Sequence, residues 1–419
     1  MRLSLRLSLL LAIMLSVIVG CASRYEPSES YNEVVTHSPH RQKSKQTVVF
    51  FLIDGLSVSV LNKQLNKNLL PEIKNHFKTS PLILAHSVFP SLTFPNISSI
   101  LRENSVDQTG AIGNSIFYNK KLIRFEEPAD RFYFSEYMRG NNIFTRLKSQ
   151  QQKTVSLDYG LGFDADVKAN FDLNSALATG FQNYSYLDQK KIESLNLLLK
   201  DQDVDQWPEF IFIHIVGLDF ISHSQGAHSV AAYKYLETLD RDLKPLFETL
   251  RAGERKGHLT VSMLSADHGF ISGLNNYVPI ENKIQQLDPE IKIINEGRFA
   301  ALYTPTGYSS AKLEQLSNDL LKTKGIELVA FKKDNQVKVH SLKEFSYPFF
   351  LENLNFYFNA PKAPDLVVIA DRRAVFLPGS GSSHGGPTAE ETIVPLLLRN
   401  ATMADPEKVM PLWQVFKFL

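Results

Sequence analysis

Three aspartates and three histidines stand just past apolar runs of this 419-residue chain. Asp54 directly follows Val48 to Ile53 (VVFFLI). Asp219 and His223 lie four residues apart beyond Phe210 to Val216 (FIFIHIV). Asp267 and His268 close the stretch that begins at Leu259 (LTVSML) and ends in Ser265-Ala266-Asp267-His268-Gly269. His384 comes after Leu366 to Ala370 (LVVIA), behind a Gly/Ser-rich turn from Gly379 to Ser383. Singly, an Asp-Gly is ordinarily a turn and a histidine ordinarily a surface or core residue. Six such side chains at successive run ends suit two zinc ions, whose usual donors are imidazole nitrogen and carboxylate oxygen.

A hydroxyl stands beside them in the sequence pattern. In Phe89-Pro90-Ser91-Leu92-Thr93-Phe94-Pro95-Asn96, Thr93 precedes Pro95 by two, and proline is favoured in the first turn of a helix. Ile97-Ser98-Ser99-Ile100-Leu101 can continue that helix. Thr93 is thereby expected at a helix N-terminus, where unpaired N–H groups and the dipole favour anions and an ionised hydroxyl. Alone it would be an N-cap; in the company of the six ligands it becomes a candidate nucleophile.

The elements that must position these residues follow from hydrophobic periodicity. The four apolar runs have the pattern of strands buried on both faces of a parallel sheet. Between the second and third, a helix is expected over about Val230 to Leu250 with Gly253 as its stop, and another over about Ser309 to Lys324 ending at Gly325. Strand–helix alternation on this scale means an α/β fold. In such sheets ligands bind beyond the carboxyl ends of the strands, where the six residues fall. Residues 115–205 and 275–360 are expected as insertions that cover the substrate. Phe345 to Phe358 is expected as core packing and His214, inside its apolar run, as structural. His228 is near enough to His223 in sequence to line the site, and the remaining histidines have no constellation around them.

Composition sets the boundaries. Lys and Arg number 45 against 44 Asp and Glu, so there is no electrostatic case for nucleic acid as a partner. One cysteine, Cys21, excludes a disulfide scaffold. Arg2 and Arg6 precede the apolar run Leu7 to Val19, which is shorter than the roughly 20 residues that span a bilayer and has the pattern of a signal peptide. It ends in Ile18-Val19-Gly20-Cys21, which resembles the lipobox of bacterial lipoproteins. That resemblance implies lipidation of Cys21 and a membrane anchor. Residues 1–20 are then a signal peptide, 21–46 a polar flexible tether, 47–400 the catalytic domain and 401–419 a tail. Ala22 stands where Asp would favour inner-membrane retention, so the expected location is the bacterial cell envelope, at the outer membrane facing the periplasm.

Asp54, the FPSLTFPN stretch, Asp219-x-x-x-His223, Asp267-His268-Gly269 and Ser383-His384-Gly385 together resemble the alkaline phosphatase superfamily. Within it they resemble the nucleotide pyrophosphatase/phosphodiesterase branch, over roughly residues 47 to 400. That branch carries a threonine nucleophile in a PTxTxPN-like motif, from which this chain departs by Ser91. The resemblance implies a three-layer α/β/α sandwich with a mostly parallel central sheet and inserted cap-like segments. It implies two Zn2+ ions, one on Asp219, His223 and His384, the other on Asp54, Asp267 and His268, with Thr93 at or between them. It also implies an asparagine that donates to a phosphoryl oxygen. Asn114 takes that place, preceded by Thr109-Gly110 where relatives often have His-Gly, with the Phe94 N–H as a second donor.

The expected activity is that of a zinc-dependent phosphodiesterase or nucleotide pyrophosphatase, acting through a phosphothreonine on a small-molecule phosphodiester or nucleotide. Related phosphomonoesterases carry a Lys-x-Arg pair to neutralise the second phosphate charge. At the comparable place this chain reads Ser156-Leu157-Asp158-Tyr159-Gly160, where Asp158 would repel a dianion, so a diester is expected unless Arg298, Lys168 or Lys191 supplies the charge. Sulfatase chemistry needs a CxPxR-type motif that is absent here. A phosphomonoesterase, a phosphonate hydrolase and an envelope phosphoryl-group transferase are the alternatives. A non-catalytic binding lipoprotein would not need the complete ligand set.

Overall fold

A computed structural model describes residues 45–418 apart from 119–120, 126, 128–129, 131–132, 135–141, 159–160, 163, 169–177, 343, 379–380 and 402–407. Residues 1–20, Cys21 and nearly all of the 21–46 segment lie outside the described residues.

The Gln46–Ile53 strand is the centre of the molecule. Its eight residues are buried from Thr47 onward, as a run of β-branched and aromatic side chains demands when both faces are covered. It pairs in parallel with Phe210–Ile215 on one side and Leu259–Ser265 on the other. The full sheet has eight strands in the order Met410–Pro411, Ile83–His86, Ile393–Arg399, Leu259–Ser265, Gln46–Ile53, Phe210–Ile215, Thr154–Leu157 and Val167–Lys168. Only Ile393–Arg399 runs antiparallel to its neighbours. Adjacent side chains of a strand point to opposite faces. Phe51 accordingly meets Phe247 of the 26-residue helix Val230–Arg255, while Phe50 meets Phe416 on the other side. Helical segments thus cover both faces.

The register aligns the strand ends that carry the site. Ile53 is level with Ile215 and Leu52 with Ser265, so the chain leaves all three strands on the same side at nearly the same height. Asp54, the Gly217–Gln225 helix and Asp267 emerge together there.

Three expectations change. The Leu366–Ala370 run is not in the parallel sheet. It is the middle strand of a separate five-stranded antiparallel sheet, between Phe299–Tyr303 and Ile326–Lys333. A continuous apolar run reports burial of both faces, not the direction of its neighbours. Val367 and Ile369 belong to the main core, while Leu366, Val368 and Ala370 belong to a second core with Leu316 and Leu320 of the Ser310–Leu321 helix.

The Val230–Arg255 helix runs through Gly253 instead of stopping there. A Cβ at Gly253 would lie 2.6 Å from the Trp207 ring, so this glycine makes room for a neighbour; Gly257, at φ +86°, lies just past the helix end. Finally, the domain does not end at 400. Met410–Pro411 pairs with Ile83–His86, and Leu412, Val415 and Phe416 are buried in the core. Among the described residues no helix is long and apolar enough to cross a membrane.

Candidate active site

Thr93 opens the Thr93–Arg102 helix, with Leu92 as the extended residue before it. The helix continues from Pro95 through a wholly buried stretch to Leu101. The threonine hydroxyl is 3.3 Å from His268 Nε2. His268 Nε2 in turn lies 3.4 Å from Asp54 Oδ1 and 3.3 Å from Asp267 Oδ2. Neither of these carboxylate oxygens receives a hydrogen bond, although both are buried.

The second group is adjacent. Asp219 and His223 sit one turn apart on the Gly217–Gln225 helix, so both side chains face the same way. His223 Nε2 is 2.9 Å from His384 Nε2, and Asp219 Oδ1 is 3.6 Å and 3.7 Å from these two nitrogens. His268 joins the groups, because Asp219, His268 and His384 each offer a donor atom within 4.8 Å of the others. All six expected ligands and Thr93 therefore converge on one place. The groups differ in access: the His223 side chain is 42% exposed, whereas those of Asp267 and His268 are fully buried.

His384 does not come off a strand of the central sheet. It follows Ser382–Ser383, which pair with Ile271–Ser272 just past Asp267-His268. Its Nδ1 donates to the Ser91 carbonyl at 2.8 Å. His268 Nδ1 faces its neighbour's carbonyl, Gly269 O, at 3.2 Å. Each bond places the ring proton on Nδ1 and leaves the Nε2 lone pair turned inward. Burial, then the neighbouring His268 and His223, push the His384 pKa well below its ordinary value. Burial, then Asp267 and Asp219, push Asp54 well above the usual carboxylate range, against the pull of His214. Imidazole Nε2 atoms facing crowded, buried carboxylates form a donor set suited to a cation.

Asn114 is also in place, with one correction. Its Oδ1 accepts the Phe94 N–H at 2.9 Å, so the Phe94 N–H serves to orient the carboxamide and is not a second donor toward a ligand.

These features can be set beside known proteins. Residues 48–390 match the family model described as Type I phosphodiesterase / nucleotide pyrophosphatase. The chain belongs to this family. Mouse ectonucleotide pyrophosphatase/phosphodiesterase family member 3 is 28% identical over 231 residues, covering 53% of this chain but only 24% of that longer protein. Murine ectonucleotide pyrophosphatase/phosphodiesterase 5 has the same fold, with TM-score 0.67 at 14% identity over 90% of this chain and 93% of the other. Phosphonoacetate hydrolase from Sinorhizobium meliloti 1021 superposes with TM-score 0.65 at 16% identity over 90% and 96%. The architecture is therefore alkaline phosphatase-like, as the sequence motifs imply.

Within this phosphodiesterase-family scaffold, several residues around the site take roles that differ from those expected from the sequence. His214, expected to be merely structural, bridges Asp158 and Asp54. Burial opposes its charge, but hydrogen bonds to Asp158 and Asp54 outweigh it and raise its pKa to about 10. Asp158 is thus paired, and its charge is not aimed at a substrate. Glu296, at the tip of the Lys292–Glu296 and Phe299–Tyr303 hairpin, accepts the Asn114 N–H at 3.2 Å. The next residues grip the His384 loop: Arg298 N–H donates to His384 O at 3.3 Å. The Arg298 side chain, fully buried, pairs with Glu391, whose other oxygen takes the Gly386 N–H at 2.8 Å. The separate antiparallel sheet therefore braces both Asn114 and His384. No local pattern in the sequence marks Glu296 as a partner of Asn114 or Arg298 as a partner of the His384 loop.

His228 does not join the cluster; its Nδ1 is 3.0 Å from Tyr233 Oη. The aromatic stretch after Phe345 packs as expected, with Phe350, Tyr357 and Phe358 buried.

Proposed function

We propose that the protein is a two-zinc hydrolase that cleaves phosphodiester or pyrophosphate bonds in small molecules or nucleotides. The observation that carries this is the convergence of Asp54, Asp219, His223, Asp267, His268 and His384 on the Thr93 hydroxyl. The donors fit zinc in kind, and the orphaned oxygens of Asp54 and Asp267 call for a cation. One ion would be held by Asp219, His223 and His384, the other by Asp54, Asp267 and His268. When bound, they would supply Lewis acidity that favours ionisation of the Thr93 hydroxyl and of the leaving oxygen.

The chain's own residues do the rest. The positive end of the Thr93–Arg102 helix dipole favours negative charge beside Thr93. Thr93 Oγ1 forms a bond to phosphorus as the bond from phosphorus to the leaving oxygen breaks, giving a phosphothreonine. Water then cleaves that ester and regenerates the hydroxyl. Asn114, fixed by Phe94, directs its NH2 to a phosphoryl oxygen, where charge grows.

Diesters fit better than monoesters. Two of the three cations that might neutralise a second phosphate charge are committed elsewhere: Arg298 to Glu391, and Lys191 to Asp188 and the His214 carbonyl. Lys168 lies exposed on the edge strand. The segment ending in Cys21 supports a lipid anchor in the cell envelope. The test is zinc content together with rates of the purified protein on aryl phosphodiester, aryl phosphomonoester and dinucleotide substrates. Thr93→Ala should keep zinc and lose turnover; near wild-type hydrolysis by that variant, or a wild type without zinc, would overturn the proposal.

A further inference from the structure

We infer that His214, held from behind by Asp158, is a positioning residue that makes Asp54 a one-oxygen metal ligand. The imidazole is buried in the Phe210–Ile215 strand. Its Nε2 is 3.0 Å from Asp54 Oδ2 and its Nδ1 is 2.6 Å from Asp158 Oδ2. Each ring nitrogen is therefore within hydrogen-bond distance of a carboxyl oxygen of a different aspartate.

The sheet builds this relay. His214 is level with Leu52 in the strand that ends at Asp54, and Ile213 is level with Leu157 in the strand that ends at Asp158. One ring in the middle strand therefore reaches the residues just past the ends of both neighbours. Asp158 is anchored in turn, since its Oδ1 accepts the Leu161 N–H at 2.8 Å.

The consequence falls on Asp54. A carboxylate can meet an ion with two oxygens, with one, or turn aside. Here Oδ2 is committed to His214, and Oδ1 is left facing His268 Nε2 without a hydrogen bond. Partners behind a metal ligand typically account for about 10–100-fold in affinity.

The inference rests on the two-zinc proposal, and the test separates the two. Zinc is titrated into metal-stripped wild type, His214→Phe, His214→Gln and Asp158→Asn in competition with a chromophoric chelator, with circular dichroism on each. The expected result is two tight sites in wild type. In His214→Phe one site should stay at wild-type affinity while the other weakens by about 10–100-fold. His214→Gln, whose NH2 can still donate to Asp54, should recover part of the loss. Two sites of wild-type affinity in His214→Phe would overturn the inference. If that variant does not fold, Asp158→Asn decides it in the same way: one selectively weakened site supports it, two unchanged sites overturn it. A wild type that binds no zinc overturns the two-zinc proposal itself.

Discussion

Asn114 Oδ1 holds the Phe94 N–H at 2.9 Å across twenty residues of chain. The bond ties the start of the Thr93–Arg102 helix to the loop before Ser115–Tyr118 and decides which end of the carboxamide is available. The backbone of Asn114 is pinned as well, by Glu296 through its N–H and by Phe125 through its carbonyl. With oxygen and backbone committed, the NH2 group is the donor that can meet a phosphoryl oxygen. Asn114→Asp keeps an acceptor for Phe94 but replaces that donor with a charged oxygen. It should lower kcat on an aryl phosphodiester by about 10²–10³-fold while leaving the thermal midpoint close to wild type. A loss of stability on the same scale as the loss of rate would make Asn114 a structural residue only.

Ser91 joins two loops that are remote in sequence. Its hydroxyl donates to Gly386 O at 2.8 Å and accepts the Gly385 N–H at 3.0 Å, while its carbonyl takes the His384 ring proton. The place where the family motif has threonine thus carries a hydroxyl with a defined task. Ser91→Ala removes both hydroxyl bonds and leaves a buried carbonyl and N–H short of partners. Denaturant unfolding should show a loss of about 1–3 kcal/mol. Zinc affinity at the Asp219, His223 and His384 group should fall with it.

Arg298 pairs with Glu391 where both side chains have no solvent exposure. Breaking a buried pair from one side costs about 3–5 kcal/mol, because the other charge is stranded. Arg298→Met should therefore lower stability by an amount of that order, read from the denaturant midpoint. The ratio of monoester to diester rates in the folded enzyme should stay the same. A shift of that ratio toward diesters would mean that Arg298 reaches the substrate after all.

What the sequence shows of this site, and what it hides, divides along physical lines. Asp54, Asp219 and Asp267 follow apolar runs, and runs end where strands end, so a parallel sheet brings them together by register alone. Thr93 is legible because Pro95 marks a first helical turn. His384 was legible as a ligand but not in its placement, because the strand before it belongs to the antiparallel sheet and hydrophobic runs carry no direction. His214 was hidden by its setting: one polar residue in FIFIHIV looks like an isolated core histidine. Its partners, Asp54 and Asp158, are 160 and 56 residues away. Glu296 and Arg298 act across the junction of two sheets, which local periodicity does not encode.

Two buried histidines outside the ligand set put a pH limit on stability. His76 stacks on Phe247 at 3.9 Å and bonds Ser262 Oγ at 3.0 Å. Burial, then the Arg399 and Arg251 cations, lower its pKa from 6.5 to about 3. Burial lowers His86, stacked on Phe349, to about 4. The unfolded chain takes up these protons near pH 6.5, whereas the folded protein refuses them until its depressed values. Their full contribution to stability is therefore present above pH 6.5 and is lost progressively as pH falls toward 3 to 4. At about 1.4 kcal/mol per pH unit, His76 alone should account for about 2 kcal/mol between pH 7 and pH 5. His76→Phe cannot be protonated, so it should be less stable than wild type at pH 7 through loss of the Ser262 bond. The gap should then narrow by about 2 kcal/mol at pH 5. Urea unfolding of both proteins at the two pH values measures this directly, and parallel stability loss in the two would show that His76 is protonated in the folded state.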